Sequence, residues 1–249
     1  MDLKNLVKLE RKLVAWLQEK ITGAGAKGAL VGLSGGLDSA VVAVLCQRAF
    51  PRETMTIVMP CHSGEEDTAH AQLLLERFGL ANLWINLDDT YDLLLSTLAE
   101  GLDGGVPLAM AKANLKPRLR MIVLYFYAAQ FNYLVVGTTN RSELAVGYTT
   151  KYGDGGVDLL PLGNLVKGEV RALADHLNIP PEIIAKPPSG GLWPGQTDEE
   201  EMGVSYEELD TYLTGGEVAG ALKERIDRMQ ERSQHKRQLP PIPSFRLGP

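Results

Sequence analysis

Residues Val31–Val44 read VGLSGGLDSAVVAV. Two apolar runs flank a hexamer, Ser34–Ser39, built from glycines, serines, a leucine and one aspartate, most of them poor core fillers. The run before it, Ala29–Leu33, is short and apolar on both faces and predicts a buried parallel strand. The run after it, Ala40–Phe50, predicts a helix stopped by Pro51. The hexamer is then a strand-to-helix turn. Its N–H groups have no partners in the strand or in the first helical turn, and the helix dipole adds partial positive charge. The glycines let a bulky anion reach the backbone, and Ser34 and Ser39 add hydroxyl donors. Such a turn cradles phosphate. It is neither the usual nucleoside-triphosphate loop, which needs a lysine where Asp38 stands, nor the GxGxxG dinucleotide fingerprint. An aspartate beside phosphates repels them unless a cation intervenes, so Asp38 points to Mg²⁺ shared between carboxylate and phosphate oxygens. The plainer reading is a glycine turn in which Asp38 and Ser39 only cap the helix. Five fixed residues in a strand–turn–helix context weigh against it.

Outward from this turn, strand and helix patterns alternate. Thr54–Met59, Asn82–Leu87 and Tyr133–Gly137 read as further strands. Glu65–Phe78, Thr90–Leu98 and Lys112–Asn132 read as helices, after an opening helix whose stripe is Leu3, Leu6, Val7, Leu13 and Leu17. The expected class is α/β, a Rossmann-like parallel sheet with helices on both faces. Ligands in such sheets bind beyond the carboxyl ends of the strands, where two polar clusters fall, Ser34–Ser39 and Thr138–Glu143. From Lys151 the composition becomes glycine-rich (KYGDGG). An amphipathic helix follows at Lys167–Leu177, then loop composition at Lys186–Thr197, two short helices at Ser205–Leu213 and Val218–Arg232, and an irregular proline-bearing tail.

The 249 residues carry a net charge of -6, which argues against a broad nucleic-acid surface but allows cations gathered in one cleft. The two cysteines, Cys46 and Cys61, form no CxxC pair, and the histidines lack zinc spacing, as in a reduced cytoplasmic protein. Charges scattered through Met1–Lys20 exclude a signal peptide, and Leu119–Ala129 is too short to cross a bilayer, so no membrane partner is expected.

SGGLDS resembles the pyrophosphate loop of the N-type ATP pyrophosphatases, whose fold is that of the adenine nucleotide alpha hydrolases. Further stretches are similar to the NAD synthetase family: NLKPRLRM (Asn114–Met121), VVGTTNRSELAVGYTTKYGDGGVDLLPL (Val135–Leu162), LVKGEVRALA (Leu165–Ala174), KPPSGGLWPGQTDEEEMGVSYEELDTYL (Lys186–Leu213) and HKRQLP (His235–Pro240). The resemblance implies one synthetase domain over 1–249, a mobile lid at 186–197 and a tail at 235–249. It implies a reaction in which the nicotinate carboxylate of deamido-NAD attacks the α-phosphorus of ATP, pyrophosphate leaves, and ammonia then displaces AMP to give NAD. No glutaminase domain is expected, and neither cysteine looks like a glutaminase nucleophile, so free ammonia or a separate glutaminase would supply nitrogen. A homodimer joined through the long apolar helix is also implied.

The residue roles follow the same resemblance. ATP is expected against Gly32, Leu33, Ser34, Gly35, Gly36, Leu37, Asp38 and Ser39, with Thr138, Lys167 and Ser189. Asp38 and Glu143 are the expected Mg²⁺ ligands. Arg118, Lys151, Asp158, His235 and Lys236 are the expected deamido-NAD contacts. Asp38, Lys167 and Asp154 are the catalytic candidates, Asp154 as the carboxylate that steers or deprotonates ammonium. On residue chemistry alone, Lys167 is informative because a cation opening a helix faces an unfavourable dipole, which a phosphate would relieve. The sequence departs from the family pattern at Ser189, where threonine is commoner, and in the following GGLW. Two other readings remain open: an ATP pyrophosphatase amidating another carboxylate, and a catalytically silent ATP-binding module.

Overall fold

The computed structural model describes residues 2–193 and 195–245. Among these, β1 (Gly28–Gly32), β2 (Thr54–Val58), β3 (Asn82–Trp84) and β4 (Tyr133–Val135) form one parallel sheet in the order β3-β2-β1-β4. The register pairs Leu30 with Met55 on one side and with Val135 on the other. Chain order runs outward from β1 to β3 and then returns across β1 to β4. The carboxyl ends of β1 and β4 therefore flank a topological switch point, where a crevice opens.

The expected three-layer architecture is present. Alternation along the central strand sends Ala29 and Val31 to one face and Leu30 to the other. The first face is covered by α1 (Leu3–Gly23), α2 (Leu37–Ala49), α3 (Glu65–Phe78) and α8 (Lys167–His176). The second face is covered by α4 (Asp88–Glu100) and α6 (Leu115–Phe131), with the short α5 (Ala109–Ala113) leading in. α7 (Arg141–Val146), α10 (Asp198–Met202), α11 (Tyr206–Leu213) and α12 (Gly220–Ser233) gather around Met202, Tyr206, Leu209 and Ile226 in a small separate core. α9 (Pro181–Ala185) follows α8, and a 3₁₀ turn, Gln234–Lys236, closes α12.

Three of the boundaries that differ from the sequence reading bear on the architecture. α2 starts at Leu37 rather than Ala40, so the turn proper is Ser34–Gly36 and Asp38 and Ser39 already lie in the first helical turn. The helix read over Lys112–Asn132 is interrupted at Asn114, because Pro117 has no N–H for the Ala113 carbonyl and its ring crowds it. The strand read over Asn82–Leu87 stops at Trp84, and α4 begins at Asp88. α7, α9 and α10 are too short to leave a periodic signature.

Candidate active site

The turn after β1 is held from inside. The Ser34 N–H donates to Ser39 Oγ (3.2 Å), the Gly36 N–H donates to Ser34 Oγ (3.2 Å), and Ser39 Oγ donates to the Gly36 carbonyl (2.9 Å). Gly35 sits at φ +80, and a Cβ there would stand 2.1 Å from the Asp67 carbonyl oxygen of α3. Only glycine lets the turn close against α3 in this way.

The polar cluster after β4 meets this turn. Asn140 caps α7: its side chain accepts the Glu143 N–H while its own N–H donates to Glu143 Oε2 (3.2 Å). Its amide then donates to Asp38 Oδ1 (2.8 Å), tying the two loops together. From the first turn of α8, Lys167 Nζ reaches Asp38 Oδ2 at 2.6 Å and Glu143 Oε1 at 3.3 Å. Tyr206 of α11 donates to Asp198 Oδ2 (2.9 Å) and also lies 3.3 Å from Glu143 Oε1. Asp198 is 4% exposed, and its Oδ1 has no hydrogen-bond partner among the described residues.

Burial lifts Glu143 to about 7, with Lys167 opposing the rise and Asp38 adding to it. Burial also raises Asp198. Burial works against the Lys167 charge, but Asp38 and then Glu143 outweigh it and hold the ammonium above its ordinary value. With all three carboxylates ionised, one ammonium leaves two negative charges uncompensated. Hard oxygen donors with that surplus suit a small divalent cation. Asp38 and Glu143 can supply two positions while water and phosphate supply the rest, which is how Mg²⁺ is usually held. Among the described residues no group of three or more His, Cys, Asp or Glu forms a closed metal cage.

These groups open onto one cavity of about 590 Å³ at the switch point. Gly32, Leu33, Ser34, Gly36, Leu37, Asp38, Ser39, Thr138, Glu143, Lys167 and Ser189 all line it, and Gly35 underlies the turn. Across the cavity stands Asp154. The residue is exposed on the cavity wall, yet loss of solvation around its carboxyl raises its pKa. One of its oxygens accepts the Thr150 N–H at 2.8 Å.

Residues 186–192 of the segment expected as a lid line the cavity. Lys186 pairs with Asp67 (2.5 Å) and Glu66 (3.4 Å). Lys116 Nζ donates to the Leu192 carbonyl (2.9 Å), and Gln196 Oε1 accepts the Leu192 N–H (2.8 Å). Ser189 Oγ accepts the Gly191 N–H at 3.1 Å, leaving its own proton free for the cavity. Pro194 lies outside the described residues.

Comparison with known proteins fits this geometry. A model of the NAD synthase family matches residues 9–240. The chain belongs to the NAD synthase family. A relative from Carboxydothermus hydrogenoformans, named NH(3)-dependent NAD(+) synthetase, is 52% identical over 232 residues, covering 93% of this chain and 95% of its own. A solved structure described as NMN synthetase from Francisella tularensis superposes with a TM-score of 0.92 at 39% identity, covering 98% of this chain and all of that one. The NH3-dependent NAD synthetase from Campylobacter jejuni superposes at 0.80 and 30% identity, with the same coverage.

The residues that the NAD synthase resemblance assigned to the dinucleotide are spread over three places. Lys236 lines the main cavity and donates to the carbonyls of Gly147 (2.8 Å) and Thr149 (2.7 Å). Lys151 and His235 line a second hollow of about 280 Å³, with Lys151 Nζ donating to the His235 carbonyl (2.6 Å). Arg118 stands beside them, 3.4 Å from the Lys151 carbonyl. Asp158 is turned elsewhere: Tyr125 OH donates to one oxygen (3.0 Å) and the Val135 N–H to the other (2.8 Å). The structure does not bring Asp158 into the main cavity.

Sequence reasoning missed Asn140, Asp198 and Tyr206, which reach the site from a loop and from the small second core. It also missed three cavity cations, Arg120, Arg171 and Lys186. Arg171 follows Lys167 by four residues and shares its helix face, a spacing that could have flagged it. Arg120 is fixed by the Met59 carbonyl (3.1 Å).

Proposed function

We propose that the chain is an ammonia-dependent NAD synthetase, a C–N ligase that converts the nicotinate carboxylate of deamido-NAD to the carboxamide of NAD at the expense of ATP. The observation that carries this reading is the junction of a helix-N-terminal phosphate turn with Asp38, Glu143 and Lys167 at the sheet's switch point, in a cavity whose far wall presents Asp154.

The first-turn amides of α2, from Leu37 to Ser39, are read as facing the leaving pyrophosphate and offsetting the charge it gains, while the Ser34 and Gly36 N–H groups hold the turn in shape. Lys167, with Arg171 on the same helix face, supplies cations for the phosphates. Asp38 and Glu143 would hold Mg²⁺, which when bound neutralises phosphate charge. The carboxylate of deamido-NAD attacks the α-phosphorus, the bond to the bridging oxygen breaks, and pyrophosphate leaves. The segment 186–197 covers the mouth and keeps water from the acyl-adenylate. Asp154 accepts a proton from ammonium, for which its burial-raised basicity suits it; the ammonia attacks the carbonyl carbon and AMP leaves.

The purified chain is expected to convert deamido-NAD, ATP and ammonium to NAD, AMP and pyrophosphate in equal amounts when Mg²⁺ is present. Glutamine in place of ammonium should give no turnover, with nitrogen in the cell coming from free ammonia or a separate glutaminase. ATP bound without release of pyrophosphate would mark a silent module instead. The close superposition on the Francisella NMN synthetase favours a second reading, in which nicotinate mononucleotide is the acceptor and the chemistry is unchanged. Comparing kcat/KM for the two acceptors decides: a preference for deamido-NAD supports the first reading, a preference for the mononucleotide the second.

We further assign a cytoplasmic homodimer. Ile122 and Phe126, one turn apart on the outer side of α6, are 58% and 63% exposed. Leu93, Leu98, Val106 and Leu108 are exposed as well.

A further inference from the structure

We propose that Lys167 is an internal stand-in for the divalent cation. In the nucleotide-free enzyme its ammonium occupies the Asp38–Glu143 pair, and metal gains that pair only when a triphosphate draws the ammonium away. The inference rests on the reading of the Ser34–Ser39 turn as the ATP phosphate site.

The two carboxylates come from the first turns of two different helices, α2 after β1 and α7 after β4, yet both point at one nitrogen, 2.6 and 3.3 Å away. The Lys167 side chain is 3% exposed and the carboxylates 16% and 14%, so ammonium and anions together close the place where a metal would enter. The remaining side of Nζ faces the Tyr206 ring, 4.8 Å from its centroid. Lys167 opens α8, where the helix dipole opposes a cation, so the carboxylates are what hold it there. Mg²⁺ sits about 2.0–2.1 Å from its oxygen ligands. At that range it cannot share these carboxylates with an ammonium already in hydrogen-bond contact, because the two cations repel at close quarters in a poorly screened site.

A triphosphate resolves the conflict, since its oxygens take the ammonium and complete the metal's coordination at once. Metal alone meets an occupied site, and nucleotide alone meets a lysine already engaged. The affinities of the two are therefore coupled, and equally in both directions.

The experiment titrates Mn²⁺ against the full-length protein and reads free Mn²⁺ by electron paramagnetic resonance, with and without α,β-methylene ATP, which cannot release pyrophosphate; the Mn²⁺ that the analogue holds in protein-free solution is subtracted. For the unmodified protein, Mn²⁺ alone is expected to bind weakly, and at least about tenfold more tightly with the analogue. Lys167→Met should bind Mn²⁺ alone at least about tenfold more tightly than the unmodified protein, with most of the analogue's effect gone. Lys167→Gln serves the same purpose if the methionine variant does not fold. Adding Asp38→Asn to either variant should abolish the gain and so locate it at this pair. The proposal is overturned if both Lys167 variants bind Mn²⁺ alone no better than the unmodified protein. It is equally overturned if the unmodified protein binds Mn²⁺ as tightly without the analogue as with it. Should the analogue fail to bind the unmodified protein, the ATP reading is what fails, and the comparison of Mn²⁺ alone still judges the role of Lys167.

Discussion

Glu143 has an ordinary carboxyl value of 4.5 and stands at about 7 in the folded chain. The folded state thus holds this proton more tightly than the unfolded state, so the group favours folding at low pH. That contribution is complete below about 4.5 and is lost as pH rises to about 7. At ~1.4 kcal/mol per pH unit, the loss is about 3 kcal/mol. The metal-free protein should therefore melt at lower temperature at pH 8 than at pH 5. Glu143→Gln should flatten that dependence in calorimetry, leaving the same-signed shares of Asp154 and Asp198. Gly35→Ala is expected to cost roughly 1–3 kcal/mol through its positive φ, and to abolish ATP binding in titration calorimetry. Retained affinity would mean the turn can open without α3. At this scale the sequence was readable where chemistry is carried by a local run: Asp38, Ser39 and the glycines announce themselves together. Asp198 and Tyr206 do not, because each looks like an ordinary residue of a short helix and only the folded chain sets them beside Glu143.

Among the elements, the segment 186–197 is fastened by its own Lys186 and Gln196 and, from outside, by Lys116. Lys116 is the unusual one, 6% exposed, with the Leu192 carbonyl as its hydrogen-bond acceptor and no carboxylate paired with it among the described residues. Burial depresses its pKa. Replacing it with Met removes the tether without stranding an anion, so thermal stability should be unchanged or higher. The covering segment should loosen, and AMP released per NAD formed should rise above one as water reaches the adenylate; a ratio fixed at one would remove Lys116 from that role. The parallel strands and large helices were legible because their apolar runs are long and repeat at clear periods. α7 and α10 escaped because five or six residues hold fewer than two helical turns, too few to establish a period.

For the molecule as a whole, α6 divides its apolar residues between two tasks. Leu119 is buried in the second core and Val123, Leu124 and Tyr127 pack against it, while Ile122 and Phe126 face outward. Sedimentation should give a dimer, and Ile122→Glu with Phe126→Glu should give monomers that keep their secondary structure. A double variant that remains dimeric would move the interface elsewhere. The sequence marked this helix as apolar enough for both core and interface, but which positions face out depends on how the helix lies on the sheet, and that follows from packing around β1 and β4.

The order in which the chain is made meets one of these features. Lys236 grips the carbonyls of Gly147 and Thr149, and the His235 carbonyl receives Lys151, so the wall opposite the phosphate turn is fastened by residues made 84 to 89 positions after it. A nascent chain can assemble its sheet long before that wall is secured. Prematurely ended chains would then keep an unfinished pocket, one able to meet nucleotide yet unable to complete the amidation.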